Sequence, residues 1–207
     1  MIAIIDYKAG NQTSVRLALE SLSASAEITD RKDTILSADR VIFPGVGAAG
    51  SAMRRISESG LIETIHEVIN RGIPFLGICL GSQIVLERSE EDGGTDCIGL
   101  VAGTVKRFRP SGGKDKIPHM GWNSVELLRV HPVFAGIENN SEFYFVHSYY
   151  PVPENTDCVL GRTNYSDIEF ASVIASGNLV ATQFHPEKSG RIGLHVLENF
   201  CRWSGKC

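Results

Sequence analysis

Hydrophobic positions in the first half of the chain fall into two kinds of run. "IAIID" (2–6), "RVIFPG" (40–45) and "IPFLGI" (73–78) are short and almost wholly apolar. That is the pattern of strands buried on both faces. Between and after them the spacing changes to three and four. In "GNQTSVRLALESL" Val15, Leu19 and Leu22 share one helical stripe, and in "LIETIHEVINRG" Leu61, Ile65 and Val68 do the same, with Gly72 as a stop signal. "LGSQIVLERS" (80–89) continues the third strand as a further helix. Strand and helix in alternation predict an α/β fold with a doubly wound, mostly parallel central sheet flanked by helices.

The second half has a different texture. "GLVAGTVKRF", "SEFYFVHSYY", "FASVIAS" and "LVATQF" are strand-like runs separated by Gly, Asn, Asp and Pro. "ASGN" before "LVATQF" reads as a hairpin turn, so antiparallel strands are expected in the C-terminal half. "GRIGLHVLENFCRW" closes the chain as an amphipathic helix. "EEDGGTD" and "RPSGGKDK" are the most loop-like stretches. No internal repeat or interdomain linker interrupts residues 1–207, so a single domain is expected at this length.

Composition narrows the function classes. A formal net charge of -4 with 21% charged residues lacks the clustered basic excess of a nucleic-acid binder. No run reaches the length of about 18 apolar residues expected of a membrane span, and "MIAIIDY" has no basic leader, so the reading is a cytoplasmic chain. The five cysteines are odd in number and form no C-x-x-C pair, so neither a disulfide framework nor a metal site is signalled. No cofactor motif is present either.

One cysteine stands apart. Gly77-Ile78-Cys79-Leu80-Gly81 places a thiol between two glycines where a strand gives way to a helix. In the serine version of this turn the nucleophile is held exposed on a sharp, strained elbow. The helix N-terminus favours a thiolate there, and the Leu80 backbone N–H, one residue on, would face an oxyanion on an attacked carbonyl. The alternative is a buried cysteine between packing glycines. Of the six histidines, His185 in "ATQFHPEKSG" directly follows a strand-like run. Glu187, two residues on, would share its side of an extended segment and hold the imidazole in one tautomer. The alternative there is a His-Pro-Glu cap on the final helix. A nucleophile, then a base with its orienter, each after a strand, is the arrangement of a catalytic triad.

"PFLGICLG" and "ATQFHPEKS" together resemble the class I (triad) glutamine amidotransferases. "IDYKAGN", "VIFPGVGA", "IPHMGWN" and "FYFVHSYY" narrow the likeness to the glutaminase subunits of imidazole glycerol phosphate synthases, across residues 4–190. The resemblance implies a flavodoxin-like fold and L-glutamine as substrate. It implies Cys79 as nucleophile, His185 as base and then acid, and Glu187 as orienter. Gly45, Val46 and Gly47 match the family's oxyanion strand, with Leu80 as the second donor. Gln83, Glu91, His147, Ser148 and Tyr149 match positions around the glutamine pocket; the choice of Glu91 over Glu90 rests on family spacing alone. The expected partner is a (β/α)₈-barrel cyclase that receives ammonia and converts PRFAR to imidazole glycerol phosphate and AICAR in histidine biosynthesis. Asn11, Met120, Trp122, Tyr144 and Lys188 would lie at or near that interface, although a buried core Trp122 is the competing reading. Lys8 and Ser82 depart from the family pattern. A glutaminase for another synthase, such as pyridoxal phosphate synthase, a catalytically silent subunit and a cysteine peptidase are the alternatives.

Overall fold

A computed structural model describes residues 1–8, 11–111 and 116–206. Part of "RPSGGKDK", the start of "GNQTSVRLALESL" and Cys207 lie outside the described residues. The chain runs β1 (Ile2–Ile5), α1 (Gln12–Ser21), β2 (Ala26–Thr29), α2 (Lys32–Leu36), β3 (Arg40–Gly45), α3 (Ala49–Glu58), α4 (Leu61–Asn70), β4 (Phe75–Cys79) and α5 (Leu80–Ile84). It continues through β5 (Arg88–Ser89), β6 (Thr95–Asp96), β7 (Gly103–Arg107), β8 (His119–Leu127), β9 (Ser141–His147), β10 (Tyr149–Pro153), β11 (Val159–Tyr165), β12 (Ile168–Ser176), β13 (Leu179–Thr182) and α6 (Gly190–Arg202).

Nine strands form one sheet in the order β2-β1-β3-β4-β13-β12-β11-β8-β9, and β10-β7-β5-β6 form a second. From β2 to β13 every pairing is parallel; beyond β13 each is antiparallel. The sheet is therefore a mixed one, built from a parallel half and an antiparallel half that meet at β13. The two faces carry separate cores. One gathers Ile35, Ile56, Ile65, Val68 and Phe75 under α2, α3 and α4. The other gathers Val15, Leu19, Val196, Leu197 and Phe200 under α1 and α6. Among the described residues no helix is long and apolar enough to cross a membrane.

Three expectations need correction. "LGSQIVLERS" is helical only over Leu80–Ile84 and then enters β5, because Leu86 and Glu87 bond to the β6–β7 connection instead of continuing the turn. "SEFYFVHSYY" is not one strand: β9 belongs to the large sheet and β10 to the small one, and the chain changes sheets at Ser148. Trp122 is no core residue; it is 54% exposed beside Met120 at 62%. Strand β2 and helices α2 and α3 were not foreseen. Their segments carry alanine, serine and charge in place of long apolar runs.

Candidate active site

The carboxyl ends of the parallel strands supply the site, as open α/β sheets do. Cys79 ends β4 with φ 53° and ψ −104°, a conformation that costs a non-glycine residue on the order of 1–3 kcal/mol. The close packing of its turn explains the flanking glycines. A Cβ on Gly77 would stand 2.8 Å from the Gly81 carbonyl oxygen, and one on Gly81 would overlap the Phe43 carbonyl. Ser82 locks the turn from behind by donating to the Cys79 carbonyl at 2.7 Å.

His185 follows β13, the parallel neighbour of β4. Its Nδ1 meets Glu187 Oε1 at 2.8 Å, and both side chains are buried. Its Nε2 is buried and has no partner within hydrogen-bonding geometry. The Cys79 sulfur is nonetheless close enough to act on it: burial alone would lower the imidazole pKa, but the Cys79 thiolate and the Glu187 carboxylate raise it to about 10. The two neighbours thus favour the protonated imidazole over the neutral one. Asn11 also donates to Glu187 Oε1, at 2.6 Å, so its amide is turned toward the triad candidates.

Above the sulfur lies a cavity of about 350 Å³, bordered by Cys79, Leu80 and His185 on one side and by Val46 and Gly47 on another. Gln83, Glu91, His147, Ser148 and Tyr149 complete most of its wall. Glu91, not Glu90, reaches it. Glu91 Oε2 accepts the Ala49 N–H at 2.7 Å, at the start of α3, while Glu90 faces away to Arg109. Burial nonetheless raises the Glu91 pKa. Gly45 stands directly behind, pairing with Cys79 across β3 and β4.

The Val46 N–H is not turned to the sulfur. It donates to the Tyr7 hydroxyl at 3.2 Å, and the same hydroxyl lies 3.3 Å from the Val46 carbonyl. Burial pushes the Tyr7 phenol up to about 12, so it stays neutral and can both donate and accept. Among the remaining candidates, Met120, Trp122 and Tyr144 share one patch on β8 and β9, with Trp122 packed edge-on against Tyr144. Lys188 is exposed in the turn before α6.

Two contributors, His119 and Gln183, were not singled out in the sequence. His119 Nδ1 lies 2.9 Å from His147 Nε2, and His147 Nδ1 lies 2.7 Å from the Tyr149 carbonyl. A carbonyl only accepts, so His147 carries its proton on Nδ1, and its Nε2 accepts a hydrogen bond from the His119 Nδ1–H. Burial holds both neutral, lowering His119 to about 4 and His147 to about 3. Gln183, in "ATQF", is buried against the sulfur itself. Its place in the short segment between β13 and His185 was the available signal. Among the described residues no cluster of His, Cys, Asp and Glu is suited to a metal ion.

Comparison with known proteins bears on the family and the fold. The family model for "Glutamine amidotransferase class-I" matches residues 3–203. The chain is 50% identical to "Imidazole glycerol phosphate synthase subunit HisH" of Methanocaldococcus jannaschii over 200 residues, 97% of this chain and 98% of that one. It is 50% identical over 212 residues to the subunit of the same name from Desulfovibrio desulfuricans, covering 99% and 96%. Among solved structures, a crystal structure of a glutamine amidotransferase superposes with a TM-score of 0.70 at 19% identity, covering 97% of this chain and 99% of the other. PurLQS from Thermotoga maritima superposes at 0.71 and 19%, covering 97% of each chain. At that identity the structures speak to fold alone.

Proposed function

The chain belongs to the class I glutamine amidotransferases and, within them, to the HisH subunits of imidazole glycerol phosphate synthase; from that premise we propose that Cys79, His185 and Glu187 carry its glutaminase reaction. The supporting observation is the buried, unpartnered His185 Nε2 beside the Cys79 sulfur at the base of the cavity, with Nδ1 held by Glu187.

The Cys79 thiolate attacks the side-chain carboxamide carbon of glutamine, and the carbonyl π electrons move to oxygen. The Leu80 N–H at the helix start stabilises that oxyanion, joined by the Val46 N–H once its peptide turns from Tyr7. His185 Nε2 gives its proton to the leaving nitrogen, so ammonia departs as the thioester forms. The now neutral imidazole takes a proton from water, whose hydroxide attacks the thioester. Collapse of that intermediate releases glutamate and restores the thiolate. Glu91 offers a carboxylate to the substrate ammonium, and Gln83 offers its carbonyl oxygen.

Ammonia released in water near neutral pH would be protonated and lost, so a partner that consumes it unprotonated is part of the function. A (β/α)₈-barrel cyclase acting on PRFAR fits that need. The exposed Met120–Trp122–Tyr144 patch supports such a partner, with the aromatic anchors that interfaces favour. The test is Cys79→Ala in the complex. Glutamine-dependent synthesis should vanish while synthesis fed by ammonium salts survives; survival of both removes Cys79 as nucleophile.

A further inference from the structure

We propose that Gln183 is a further catalytic residue, whose carboxamide N–H donates to the Cys79 sulfur and holds it as the attacking thiolate, with Gln83 fixing which end of that carboxamide faces the sulfur. The inference rests on Cys79 being the nucleophile.

The orientation follows from an anchor that cannot flip. The Tyr149 backbone carbonyl only accepts, and Gln83 Nε2 lies 2.9 Å from it. The same nitrogen lies 3.0 Å from the Gln183 side chain, and with its second hydrogen it presents a donor there. Gln183 must answer with its oxygen, which leaves its Nε2, 3.7 Å from Cys79 Sγ, as the atom facing sulfur. The reversed amide would set two NH₂ groups against each other and an oxygen against the thiolate. Both carboxamides are buried, so neither error would be relieved by water.

The sulfur has need of this donor. No lysine or arginine borders the cavity among the described residues. The groups facing Cys79 are His185 with Glu187 behind it, the neutral Tyr7 phenol at the end of β1, His147 on β9, and Glu91 across the cavity. The Val146 carbonyl oxygen, 3.9 Å from Sγ, can accept from a thiol and repels a thiolate. Gln183 and the imidazolium of His185 therefore oppose Val146, and they approach from the same segment just after β13. A second consequence falls on Gln83. Both of its N–H bonds are spent inside the protein, so only its oxygen is free for substrate. That oxygen welcomes a donor and disfavours the carboxylate of the glutamate product.

The experiment measures carbamidomethylation of Cys79 by iodoacetamide against pH, by mass spectrometry of the full chain, together with glutamine hydrolysis in the synthase complex. Losing one hydrogen bond to a charged group in Gln183→Met should move the midpoint of labelling and the acid limb of hydrolysis up by about one pH unit and slow labelling at neutral pH about tenfold. Gln183→Glu should move them further. Gln83→Met, which frees the Gln183 amide to turn, should move them less but in the same direction, and it serves if the Gln183 variants do not fold. A loss of thermal stability with unmoved profiles in the folded variants overturns the proposal. Should wild-type hydrolysis survive Cys79→Ala, the nucleophile assignment falls instead, and the two failures are thereby distinguishable.

Discussion

At the scale of single residues, the site is a set of tautomers and amide orientations fixed by backbone carbonyls. His185 is the one imidazole near the sulfur with a raised pKa, and the Glu187 carboxylate is part of the cause. Replacing that carboxylate with an amide removes a negative charge that favours the protonated ring. In Glu187→Gln the alkaline limb of glutamine hydrolysis, where the acid loses its proton, should therefore move to lower pH, with kcat down on the order of 100-fold. An alkaline limb that stays in place would remove Glu187 as orienter. The two departures from the family pattern also have local accounts. Ser82 ties the nucleophile turn to itself through the Cys79 carbonyl, and Lys8 is bound up in ion pairs with Asp6 and Asp30.

At the scale of elements, one junction does most to position the site: β4 into α5, pressed against the end of β3. Its tightness makes a sharp prediction for Gly81→Ala. The added methyl group would collide with the backbone of Phe43, which cannot swing aside as a side chain would. A loss of about 2–3 kcal/mol in urea denaturation is expected, with activity lost even below the new midpoint. Unchanged stability would mean that β3 and α5 can separate. This junction was legible in the sequence because a strand-to-helix elbow needs its small residues at fixed positions. The His185–Glu187 pair was legible too, although the expected extended segment was not the reason it forms: Glu187 sits in a 3-10 turn over Pro186–Lys188 that folds it back onto His185. The partners of those groups were not legible. Gln183 reaches Cys79 across 104 positions, and Asn11 reaches Glu187 across 176, contacts that only the sheet order creates. The division of "SEFYFVHSYY" between two sheets was hidden for a related reason, since an unbroken apolar run does not record where its hydrogen-bonding partners change.

At the scale of the whole molecule, buried neutral histidines tie stability to pH. His119, His131 and His147 lie in the interior, and burial lowers their pKa values from 6.5 to about 4, about 4 and about 3. Below pH 6.5 the unfolded chain takes up protons that the native chain refuses. Stability therefore rises with pH in this window and is lost as pH falls from 6.5 toward 4. The melting temperature should drop steeply as pH falls below 6.5; a flat profile down to pH 4 would mean that these rings are not excluded from protonation. The order of the sheet also governs how the protein is made. Strand β13 sits beside β4 in the middle of the large sheet, yet it is the last strand to leave the ribosome. Until that strand and the residues after it are made, the thiol of residue 79 has neither Gln183 nor the His185–Glu187 pair beside it. On the assignment proposed above, a chain stopped before β13 therefore carries an unactivated cysteine, and the sulfur gains its chemistry only when the sheet can close around it.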